Sequence, residues 1–138
     1  MESPRRLHLK TLILIFIMVI AAPLGNVLLG KGMKHVGAVQ LWPPAQLLHV
    51  FTLVFTSATI WLGVGSLLVF FAAYMIVLSW ADYSYVQPAS SISYAVVALL
   101  ASTWLGEFVP PLRWAGIAVI CIGVFLVGHT HPNTTENG

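Results

Sequence analysis

Four stretches of the chain stay apolar long enough to cross a bilayer: about 9–29, 58–80, 85–104 and 112–129. A hydrocarbon core is about 30 Å thick and a helix rises about 1.5 Å per residue, so roughly 20 residues suffice. No water at that depth can satisfy backbone N–H and C=O groups, and the alternating pattern of a barrel is absent, so each stretch must be a helix. Aromatic placement fits these limits. Trp61 and Trp80 lie 19 residues apart, as do Tyr85 and Trp104, which is roughly 28 Å of helix, close to the spacing of the two interfaces that Trp and Tyr favour. Trp114 marks the start of the fourth helix. Turns at about 81–84 and 105–111 are short, which makes the last three helices antiparallel neighbours, and Pro110 with Pro111 suits the opening of the fourth.

The segment QLWPPAQLLHVFTLVFTS, residues 40–57, is apolar but cannot join the second span, because the two together would be too long. Pro43 and Pro44 fit a helix start, and Leu47, Val50, Phe51 and Val54 recur at helical spacing. The reading is an amphipathic helix over about 43–57 lying in the interface, with a short re-entrant helix as the alternative. The tail at about 130–138 is polar and expected to be disordered. Arg5, Arg6 and Lys10 precede the first run as in a signal peptide, but the run exceeds a signal core of about 7–15 residues and further spans follow. The fold class is therefore all-α: one integral membrane bundle of four transmembrane helices over 1–138, with an interfacial helix between the first and second.

Composition adds to this picture mainly by exclusion. The chain is 59% hydrophobic and only 7% charged, with a mean hydropathy of +0.92; so few charges would leave a water-soluble fold covered in apolar patches. Six Lys and Arg against four Asp and Glu are too few for a nucleic-acid surface. The lone Cys121 sits in an apolar run and reads as a packing residue. No paired acid, metal-ligand spacing or nucleophile with a nearby base is present, so neither enzyme activity, metal nor cofactor is expected. Arg5, Arg6 and Lys10 on one side balance Lys31, Lys34 and Arg113 on the other; near balance leaves orientation weakly determined and is compatible with dual topology.

Four helices pack around side chains and leave little room for a polar route, so a partner subunit is implied. Gly116 and Gly123 lie seven residues apart on one face of the fourth helix and could let a second subunit approach closely, or serve packing within one chain.

The residues from Trp80 to Gly128 carry a resemblance. A short polar turn, Gln87-Pro88 at a helix start, Leu105-Gly106-Glu107 closing the third helix and Arg113-Trp114-x-Gly116 to Gly123-Val124 in the last resemble the EamA-like half of the drug/metabolite transporter superfamily. Gly25-Asn26-Val27-Leu28 followed by Gly30, Lys31, Gly32 and Lys34 resembles the end of the first helix in the same superfamily. The resemblance implies a four-helix unit of the bacterial inner membrane that works as a homodimer or with a related small membrane subunit. It would move a small or amphipathic molecule by alternating access. Four-helix relatives include small multidrug resistance exporters and the paired subunits that flip an aminoarabinose-bearing lipid. The former use a glutamate in the first helix, but the corresponding stretch here, Ile20 to Gly25, has no carboxylate. That departure speaks against proton-coupled cation export; an accessory subunit without its own substrate path is the other alternative.

Gln87, Ser90, Ser91 and Tyr94 fall at i, i+3, i+4 and i+7, and Ala98 and Ala101 continue the strip. This face of the third helix could line a substrate cavity, joined by Asn26 of the first helix and Tyr74 of the second, or it could serve helix packing. Lys31, Lys34 and Arg113 could meet lipid phosphate or act as topology determinants. Glu107 and Asp82 read as turn residues, Glu107 paired with Arg113 and Asp82 capping the third helix or simply hydrated.

Overall fold

The first apolar run forms a helix, α1, of 33 residues from Pro4 to Val36, extending well beyond 9–29 at both ends. Its flanks contain nothing that stops a helix until Gly37, whose φ of +86° suits a left-handed C-terminal cap, with Gly37 N donating to Met33 O at 3.0 Å. A computed structural model of the chain describes residues 4–39 and 43–130. Most of the expected polar tail therefore lies outside the described residues.

Five further helices follow: α2 Pro44–Thr56, α3 Ala58–Leu78, α4 Tyr83–Ser90, α5 Ser93–Trp104 and α6 Pro111–Gly128. Four spans are long and apolar enough to cross a membrane: α1, α3, α4 with α5 taken together over Tyr83–Trp104, and α6. At 13 residues, α2 reaches only about 20 Å and is too short to span. It forms the separate apolar helix between the first and second spans.

The tightest packing joins α1 to α3. Glycines allow it: a Cβ on Gly63 would come within 3.0 Å of Gly25 O and Leu29 N, and one on Gly25 would meet Gly63 O at 3.0 Å. Backbones can approach this closely only where side chains are missing. Pro23 lies inside α1 without interrupting it and is fully buried. The N–H it lacks leaves Val19 O without its intrahelical donor, and two residues on Ser66 Oγ of α3 donates to Ala21 O at 2.7 Å, tying the two helices together beside the proline. Nearer the N-terminal end, Met18, Ala73, Val77, Ala81 and Val86 form a buried apolar cluster. Trp80 Nε1 donates to Thr11 Oγ1 at 2.9 Å beside it.

The third span differs from the single helix expected over 85–104. It begins at Tyr83, so Gln87-Pro88 is not its start, and Pro88 lies within α4. Pro88 has no N–H to give to the preceding turn, and regular helix gives way at Ser91 and Ile92. There Ser91 N, Tyr94 N and Ala95 N reach back three residues, to Pro88 O, Ser91 O and Ile92 O, at 3.0–3.1 Å. Two hydroxyls complete the break, Ser90 Oγ donating to Gln87 O at 2.8 Å and Ser91 Oγ to Pro88 O at 2.5 Å. α6 begins with Pro111 at its first position, lies against α4 and more lightly α5, and buries only Ile117.

Candidate functional site

The break in the third span opens onto a cavity of about 320 Å³. α4 supplies Tyr83, Gln87 and Ser90, its C-cap supplies Ser91, α5 supplies Ser93 and Tyr94, α3 supplies Phe70 and Tyr74, and α1 contributes only Ala22. The helical strip Gln87, Ser90, Ser91 and Tyr94 thus stays on one side despite the break, and Tyr74 joins it: Tyr74 Oη donates to Gln87 Oε1 at 3.4 Å. Asn26 does not. It is exposed and lines neither this cavity nor the one below it along the span, lying one turn beyond Ala22 toward Lys31.

A second cleft, of about 380 Å³, opens between α5 and α6. Tyr94, Val97, Ala98 and Ala101 form one wall, and Gly116, Ile117 and Ile120 the other, with Val109, Glu107 and Arg113 at its end. Tyr94 lines both spaces. The two cavities therefore lie in series along the third span, a polar one from Tyr83 to Tyr94 and an apolar one from Tyr94 to Glu107. The first presents hydroxyls and one amide and no charged group; the second presents hydrocarbon with ionic groups only at its mouth. Hydroxyl and amide dipoles can hold a polar head by hydrogen bonds, and an apolar cleft can hold a chain.

At that mouth Glu107 does not pair with Arg113. Lys34 Nζ donates to Glu107 Oε1 at 2.8 Å instead. The reason lies in the turn: Gly106 has a φ of +62°, and Glu107 N donates back to Ala101 O at 3.1 Å, which carries the carboxylate toward the end of α1. Leu105 Cδ2 packs over Gly30 on the same side, 3.5 Å from where its Cβ would stand. Arg113 is exposed and has no charged partner among the described residues. Lys31 is exposed on α1 and lines neither cavity. Asp82 stands at the N-cap of α4, yet its side chain makes no capping hydrogen bond. Gly116 and Gly123 of α6 are exposed, with nothing within 4 Å of a Cβ built on either.

Four lining residues of the polar cavity were missed by the sequence reading: Ala22, Phe70, Tyr83 and Ser93. For Tyr83 a signal existed. Asp82 as the cap of the third helix implies a start at Tyr83, and from there Tyr83, Gln87, Ser90 and Tyr94 form one face at i, i+4, i+7 and i+11. Ser93 enters only because the break at Ser91 and Ile92 changes the helical register, which periodicity cannot foresee. A smaller pocket of about 220 Å³, between His8, Thr11, Tyr85 and His129, closes the N-terminal end of the bundle. Among the described residues no three His, Cys, Asp or Glu gather as a metal site.

Comparison with known proteins gives one informative relative. The Probable 4-amino-4-deoxy-L-arabinose-phosphoundecaprenol flippase subunit ArnE of Pectobacterium atrosepticum is 34% identical over 93 residues, covering 65% of this chain and 78% of the relative. No family model matches the chain, and no solved structure matches it significantly.

Proposed function

The chain belongs to the four-helix family of ArnE within the drug/metabolite transporter superfamily, and from that membership we propose that it carries an amphipathic, lipid-linked molecule across the bilayer. It is a multi-pass protein of the bacterial inner membrane and a small transport subunit rather than an enzyme. The relative's name specifies a phosphoundecaprenol-linked amino sugar. A cargo of that chemistry, a polar head on a phosphate with a long isoprenoid chain, is the reading adopted for this chain.

One observation carries the proposal: a polar cavity and an apolar cleft lie end to end along the third span and share Tyr94. A head group travelling the length of that span would pass from the hydroxyls of Ser90 and Ser91 across Tyr94, while its chain stays in hydrocarbon. Irregular backbone at membrane depth is tolerated where it lines such a cavity. No carboxylate lies within the spans, since Asp82 and Glu107 stand at their ends, so the cargo meets fixed dipoles rather than a titrating acid. This favours a neutral or head-group-charged amphiphile over a bare cation.

The exposed α6 face supports a second subunit, identical or closely related, packing through Gly116 and Gly123 and enclosing the cleft, with the pair exposing the cavity alternately to the two sides. The test is flipping of a fluorescent polyprenyl-phosphate sugar in liposomes. Ser90→Ala, Gln87→Ala and Tyr94→Ala are expected to slow it about tenfold or more, while insertion and melting temperature stay those of the wild type; one buried hydrogen bond to a substrate is worth about this much. Wild-type rates for all three would remove the cavity from the transport path.

A further inference from the structure

Three cations stand at the C-terminal end of the first span and the start of the last: Lys31, Lys34 and Arg113. Sequence gives them equal claim on a lipid phosphate, but the structure separates them. Lys34 is occupied by Glu107 at 2.8 Å. Lys31 projects from α1 and borders neither cavity. Arg113 alone lines the apolar cleft, two residues after α6 begins, and no carboxylate among the described residues answers its charge.

We infer that Arg113 is the phosphate-contacting residue of this subunit, engaging the phosphate of a lipid whose isoprenoid chain lies in the cleft between α5 and α6. The inference rests on the cargo reading above and assigns one residue within it. The guanidinium fork matches a phosphate with two parallel hydrogen bonds, which a lysine cannot do. Hydrocarbon walls from Val97, Ala98, Ala101, Ile117 and Ile120 lead away from that cation toward Tyr94. The pairing of one cation with an apolar groove is complementary to an anionic head on a long chain. Glu107 lines the same mouth, but its charge is answered by Lys34 at 2.8 Å, which leaves Arg113 as the cation there without an ionic partner among the described residues.

The measurement is binding to the full-length protein in neutral phosphatidylcholine nanodiscs. The probes are polyprenyl phosphate, the uncharged polyprenol, inorganic phosphate and phosphatidylglycerol. Polyprenyl phosphate is expected to bind most tightly, with Arg113→Gln weakening it by about 10–100-fold and Arg113→Lys by less, as expected for a charge-assisted fork. Lys34→Gln combined with Glu107→Gln, which removes that pair whole, should change it by less than twofold, and polyprenol binding should ignore Arg113→Gln. Each variant's melting temperature reports whether it has folded; if Arg113→Gln does not, the lysine variant decides. Equal binding by Arg113→Gln and wild type, equal losses in Arg113→Gln and the Lys34 and Glu107 double variant, or displacement by phosphatidylglycerol at the same concentration as by polyprenyl phosphate would each overturn the assignment, as would free phosphate competing as well as the lipid. The two readings fail separately: loss of binding in Arg113→Gln with no flipping by the wild type refutes the transport function alone, whereas normal flipping with binding indifferent to Arg113 refutes this assignment alone.

Discussion

Two pairs of glycines in this molecule stand in opposite surroundings. Gly25 and Gly63 face each other where α1 crosses α3, and a Cβ on either would come within 3.0 Å of backbone atoms of the other helix. Gly116 and Gly123 on α6 have open space around them. In hydrocarbon, a small residue is worth keeping only where another backbone comes close. The α1–α3 glycines thus serve a contact within the subunit, and the α6 glycines make none there. The closely packed α1–α3 pair lies on one side of the polar cavity, giving it Ala22, Phe70 and Tyr74, while the lightly packed α6 borders the apolar cleft.

The largest effect that would test this contrast comes from Gly63→Leu. Its side chain must displace backbone rather than a flexible neighbour, so a loss of about 1–3 kcal/mol or more is expected, read as a collapse of the cooperative thermal transition in detergent. Gly116→Leu and Gly123→Leu sharpen the comparison from the other side. Subunit melting should stay within about 0.5 kcal/mol of wild type, while the crosslinked dimer in native membranes falls by about tenfold, equivalent to about 1.4 kcal/mol. An unchanged dimer would return the α6 glycines to simple lipid contact. The smallest effect belongs to Ser66→Ala, which deletes the hydrogen bond to Ala21 O at a cost of about 0.6 kcal/mol, visible as a modest drop in melting temperature.

The four spans were legible because their cause is solvent: length and apolarity alone decide what crosses a bilayer. The strip Gln87, Ser90, Ser91 and Tyr94 was legible for a similar reason, since helical geometry puts those spacings on one side and the break at Ser91 is too brief to scatter them. What the sequence concealed depends on the close fit between elements. Pairing of Lys34 with Glu107 spans 73 positions and hinges on the backbone at Gly106, whereas Arg113 is merely nearer in sequence. Asn26 looked like a cavity residue because an amide in hydrocarbon needs a partner, yet its place around α1 is fixed by the Gly25–Gly63 crossing next to it, which turns Asn26 outward. Tyr83 was lost to a span start placed at about 85, although Asp82, just before the true start, was already a candidate cap.

Ser57 is the single residue that joins α2 to α3. It ends α2 and caps α3 at once, accepting from Ile60 N at 3.4 Å, and Trp61 Nε1 reaches back to Phe55 O at 2.8 Å across the bend. With one residue between two axes and a bracket over the joint, the short helix behaves as an outrigger on the second span. A tilt of α3 would carry α2 with it, so a spectroscopic label at His49 is expected to report motions of the span that carries Tyr74.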